Sequence, residues 1–161
     1  MLSEMCIAAA NYIIERTNTY NKENPSTTIF MTCKRLQKLL YFSEIEFMKR
    51  NGGQSMFKDE FHAWPSGPVI PFVYHKFMKY QYGRMDQIQE DGHSGLTQAM
   101  IDALEYILQK TWDLDVLDLI EISHIDGGPW RRFYNATDPK HEQIIPKHEI
   151  FAFYKTREIF A

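Results

Sequence analysis

The stretch from Arg35 to Phe77 constrains the fold more than any other. It opens with RLQKLLYFSEIEFMKR, in which Leu36, Leu39, Leu40, Ser43 and Phe47 recur at i, i+3, i+4, i+7 and i+11, the spacing of one face of an α-helix. Tyr41, Ile45 and Met48 form a second apolar face, and Phe42 lies between the two on the far side. A surface helix carries one apolar stripe, whereas a helix that is apolar on several sides is enclosed by other elements. The pattern therefore predicts a central helix over Thr32–Arg50 with the rest of the chain wrapped round it. Thr32 is placed to cap its start, and Asn51-Gly52-Gly53 ends it, because glycine adopts the left-handed conformation at little cost.

The flanking segments divide by the same signals. Ser3 caps a first helix running to about Arg16, and TNTYNKENPSTT reads as a polar surface loop with a turn at Asn24-Pro25. Met56–Ala63 alternates loosely, with Phe57, Asp59, Phe61 and Ala63 on one side, and reads as a short strand. Pro65-Ser66-Gly67-Pro68 reads as a turn; Pro68 and Pro71 fit the first turn of a helix, where N–H groups lack partners anyway. Ile70, Val73, Tyr74 and Phe77 carry that helix on to a stop at Gly83, and Met85–Gly95 is polar. Helices follow over Thr97–Trp112 and Val116–His124, the second capped by Asp113 or Asp115. Pro129 opens a short helix, Ile144-Ile145 forms a second short strand able to pair with the first, and Pro146 starts a last helix. The expected fold is mainly α (α+β): a single-domain bundle of five to six helices around the central buried helix, with a small β element, spanning residues 1–161.

Composition narrows the function. A net charge of −3, from 18 basic and 21 acidic residues, argues against a dedicated nucleic-acid surface, which needs a clearly basic patch. No apolar run reaches the ~18 residues of a membrane span, and the N-terminus has Glu4 and no basic segment, so a cleaved signal peptide is not expected and the cytoplasm is. Cys6 and Cys33 lie in apolar helical patterns and read as buried thiols, with a single disulfide between them left open. Six histidines supply no liganding pattern: Glu142 follows His141, but no histidine stands at position 145 to complete HExxH. The Cys-x-x-Cys, G-x-S-x-G, phosphate-loop and dinucleotide-loop patterns are absent as well. No catalytic, cofactor-binding or metal-ligating residue is assigned.

Three short motifs occur in order: Leu36, Lys38, Leu39, Leu40, Tyr41 and Phe42; then Ala63, Trp64, Gly67, Pro68, Val69, Pro71 and Tyr74; then Ser123, His124, Pro129 and Trp130. In this arrangement the chain resembles the Panacea domain of SocA-like antitoxins, a domain seen also in phage-associated proteins. The resemblance covers nearly the whole chain. It departs from the family at Ser66, where a tyrosine or similar residue usually precedes Gly-Pro, which bears on the packing of that turn. The resemblance implies a protein-binding module that neutralises a cognate toxin, encoded by an adjacent gene, by direct binding, in a protein of phage or mobile-element origin. A protease adaptor that delivers its bound partner for degradation is the alternative, and would shorten the partner's half-life. A metal-dependent enzyme is a third reading, answered by metal analysis. Neither the toxin nor the oligomeric state follows from the sequence.

Single residues in these motifs admit two roles each. Trp64 with the prolines from Pro65 to Pro71 is either a core anchor with a stiffened turn or a rigid surface element for recognition, and the structural role is favoured. His124, near a helix end, is either a pH- or partner-sensing residue or a packed histidine that bonds the Gly127-Gly128 turn beside Trp130; packing is again favoured. Lys34, Arg35 and Lys38, with Lys49 and Arg50, give the central helix a basic aspect, read as a solvated face or as a match for an acidic partner.

Overall fold

A computed structural model describes residues 4–78, 92–138, 140 and 142–160. Among them are α1 (Glu4–Glu23), a 3-10 turn (Pro25–Thr27), α2 (Cys33–Arg50), β1 (Phe61–Trp64), β2 (Gly67–Val69), α3 (Pro71–Phe77), α4 (Gln98–Thr111), α5 (Val116–Ser123), α6 (Pro129–Phe133), β3 (Ile144–Ile145) and α7 (Lys147–Tyr154). The fold is mainly α with a small antiparallel sheet, as the pattern predicts; counting the short α6 brings the helices described to seven.

The central helix is where the periodicity places it. Thr32 caps α2 by accepting from the Arg35 N–H, and Asn51 closes it. Every residue from Arg35 to Met48 is buried, leaving Lys34 and Arg50 exposed. Helices α1, α3, α4, α5 and α7 and strand β2 all pack on α2. A helix so enclosed must also bury its polar residues, and each then needs a partner. Glu44, fully buried, accepts from the backbone N–H of Met56 (2.6 Å) and Phe57 (3.2 Å) and from Lys147 Nζ (2.8 Å). Gln37 accepts from the Ile70 N–H at 2.9 Å and donates to the Ile70 carbonyl at 3.4 Å. These bonds attach the irregular segments on either side of the sheet to the hub.

Several local expectations are corrected. The first helix runs seven residues beyond Arg16, to Glu23. Its polar end is helical because Thr17, buried, turns its hydroxyl back to the Ile13 carbonyl (2.8 Å) and because Tyr20 stacks on Trp112 at 4.2 Å. Asn21 then holds Ile29 through both its N–H and its carbonyl, each at 2.8 Å. The strand expected over Met56–Ala63 is confined to Phe61–Trp64, since Glu44 takes the N–H groups of Met56 and Phe57. Pro68 lies in β2 and not in a turn or a helix. The sheet order is β2-β1-β3, so β2 is an edge, where a residue without an N–H is tolerated. The pairing of Ile144-Ile145 with the first strand holds, with Phe61 opposite Ile145 and His62 opposite Ile144. Asp115 rather than Asp113 caps α5, in a reciprocal box with Asp118. Cys6 and Cys33 are buried, with no disulfide between them. The stop at Gly83 and most of the polar segment Met85–Gly95 lie outside the described residues.

Candidate functional site

The three sequence motifs meet at one place. Lys38 comes from the middle of α2, Trp64 and Gly67 from the two ends of the β1–β2 turn, Tyr74 from α3, His124 from the end of α5, and Trp130 from α6. The Trp130 indole N–H donates to the Trp64 carbonyl at 2.8 Å, tying α6 to the sheet. Its ring stacks with His124 (centroids 3.6 Å apart, nearly parallel) and with Tyr134 (4.7 Å). Trp64 meets Tyr74 edge-on at 5.0 Å. The remaining motif residues are structural in their surroundings. Leu39, Leu40 and Tyr41 are in the core, where Tyr41 packs edge-on against Phe61 at 5.3 Å and burial drives its hydroxyl well above the usual phenol range. Pro71 and Pro129 open α3 and α6 at their first positions, and Pro68 sits opposite Ala63 in the sheet.

Between α2, the β1–β2 turn and α3 lies an open cavity of about 200 Å³. Trp64, Tyr74 and Val69 give it apolar walls, and Gln37, Lys38 and Ser66 are polar groups on its lining. Gly67 closes over the lysine with φ at +123°, a backbone region that favours glycine. A Cβ there would fall 2.7 Å from Lys38 Cε and 3.0 Å from Ser123 Oγ, so the turn is fitted to the lysine stem. The Lys38 ammonium has no hydrogen-bond partner among the described residues. Burial, followed by the positive charge of Lys34 one turn away, pushes it down to about 7. His124 is also held below the usual imidazole range, chiefly by burial and then by Lys38 and Arg131, with the Ser66 backbone pulling the other way.

The basic aspect expected for α2 does not form a solvated face. Arg35 and Lys38 are buried, because α2 is covered on those sides by α4, α5 and the sheet turn; Arg35 donates to the carbonyls of Thr111 (2.9 Å) and Leu114 (2.8 Å), completing the end of α4. For His124, the polar neighbour is the Ser66 backbone rather than the Gly127-Gly128 turn. Gln37 and Ser66 as lining residues escaped the sequence reading. The available signal was the enclosure of α2 itself, which obliges its polar residues to face something other than water. Among the described residues no group of three or more His, Cys, Asp and Glu side chains is placed to hold a metal ion.

The profile of the family described as Antitoxin SocA-like, Panacea domain matches residues 36–131. That span begins with the first motif on α2 and ends one residue past Trp130. The chain belongs to this family. Antitoxin SocA of Caulobacter vibrioides (strain NA1000 / CB15N) is 35% identical over 107 residues, which cover 59% of this chain and 55% of the relative. The match thus spans about half the length of that curated relative. No solved structure matches the chain.

Proposed function

We propose that this protein is an antitoxin that neutralises a toxin, encoded by an adjacent gene, by binding it directly and catalysing nothing. Family membership carries the reading: the matched span, residues 36–131, holds a cavity with an exposed rim, lined from the first two motifs by Lys38, Trp64 and Tyr74, with Trp130 of the third motif bonded to the Trp64 carbonyl. The rim favours recognition. Trp64 and Tyr74 are half-buried and already packed edge-on against each other, so little side-chain freedom is lost on binding. A net charge of −3 fits a protein partner better than nucleic acid. We place its action in the cytoplasm; among the described residues no helix is long and apolar enough to cross a membrane. We also take residues 1–161 as one Panacea domain, since α1 and α7, which lie outside the matched span, pack on α2.

Co-expression with the product of each neighbouring open reading frame tests the proposal. One of them is expected to arrest growth alone, to be relieved by this chain, and to co-purify with it. A growth-arresting neighbour that is neither relieved nor bound overturns the reading.

A further inference from the structure

Lys38 is an exception among the deeply placed cations of this molecule. Lys147 is matched by the Glu44 carboxylate at 2.8 Å and by the Phe57 carbonyl, and Arg35 places two guanidinium N–H groups on carbonyls. Lys38 is fully buried, yet its ammonium meets no acceptor among the described residues. Burying a polar or charged group without a compensating partner is costly. Here the cost is incurred at the wall of an open cavity, under a glycine turn shaped to the lysine stem. Among the described residues, the charged and titratable groups facing it do not supply the missing acceptor. Cys33 and Lys34 share its helix, Tyr74 lines the cavity from α3, His124 stands at the end of α5 with Arg131 of α6 behind it, and the β1–β2 turn brings Pro65 and Ser66. None is a carboxylate, and two are fixed cations.

We propose that this cavity receives a carboxylate from the partner protein, an acidic side chain that enters along the wall formed by Trp64 and Tyr74 and pairs with the Lys38 ammonium. The inference rests on the antitoxin reading above and gives it a point of contact. The aromatic walls suit the methylenes of the entering side chain, and the flexible lysine stem lets the ammonium swing from beneath Gly67 into the cavity. Desolvated on both sides, such a pair excludes neutral or basic residues at that position of the partner and so sets specificity. Because the free lysine sits near pH 7, docking of a carboxylate above neutrality draws a proton onto it.

N-acetyl-glutamate methylamide and its neutral glutamine isostere serve as probes, titrated by calorimetry at pH 8 in buffers of different ionisation heat. The wild type is expected to bind the glutamate probe weakly, at least about tenfold tighter than the isostere, with uptake of about one proton. Lys38→Met is expected to lose both the preference and the uptake. It is also expected to bind the adjacent-gene toxin at least about tenfold more weakly. Equal binding of the two probes by the wild type overturns the proposal. So does a folded Lys38→Met chain that captures the toxin as well as the wild type, including the case in which the cavity takes only a free small carboxylate. If Lys38→Met does not fold, the wild-type probe preference and proton uptake decide alone. A wild type that binds the probe but no neighbouring gene product refutes the antitoxin reading and leaves the carboxylate site standing.

Discussion

Lys38 makes the protein less stable than an apolar residue of the same shape would, and the sign of the effect with pH follows from its environment. Its folded value, about 7, lies below the ordinary value of 10.5, so between these two pH values the unfolded chain binds more protons than the folded one. The penalty for burying the charge is complete below pH 7 and is relieved as pH rises towards 10.5. Lys38→Met is therefore expected to raise stability by about 1–3 kcal/mol near pH 6.5, and the gain should shrink by pH 9. Urea unfolding at the two pH values measures this; a gain that does not change with pH would show that the lysine is not the group responsible. A stabilising substitution that weakens partner binding is the usual mark of a residue kept for function. Gly67 belongs to the same unit, because the space a side chain would occupy there is filled by the lysine stem.

At the scale of elements, the segment between α2 and β1 depends on a single buried carboxylate. Glu44 satisfies two backbone N–H groups and one ammonium, and these bonds replace the ladder that a longer strand would have supplied. Glu44→Ala leaves two backbone N–H groups without an acceptor and Lys147, only 16% exposed, with the Phe57 carbonyl but no carboxylate, and should cost about 3–5 kcal/mol in denaturant unfolding. A loss under ~1 kcal/mol would mean that water replaces the carboxylate without penalty. Strand and helix boundaries were the least legible feature of the sequence for this reason. The alternation over Met56–Ala63 describes which side chains point inward, but not which backbone groups pair. Likewise the polar composition of Thr17–Glu23 conceals a helix that continues because Tyr20 finds Trp112, a residue far along the chain.

Across the whole molecule, stability is centred on α2. Five helices and the edge strand lie against it, so its amides should open only when the entire structure opens. Hydrogen exchange is expected to be slowest between Leu36 and Met48; slower exchange in α1 or α7 would move the centre of the fold elsewhere. That hub was readable in advance because apolar residues on several faces of one helix admit no other placement. The three motifs were readable too, as an ordered set. Their convergence was not, since Lys38, Trp64, Tyr74, His124 and Trp130 come together only when α5 and α6 fold back over the β1–β2 turn. Linear spacing reports which face of its own element a side chain occupies. Whether a lysine on that face meets water, a carboxylate or an open cavity depends on elements distant in sequence, and here only tertiary packing decided it.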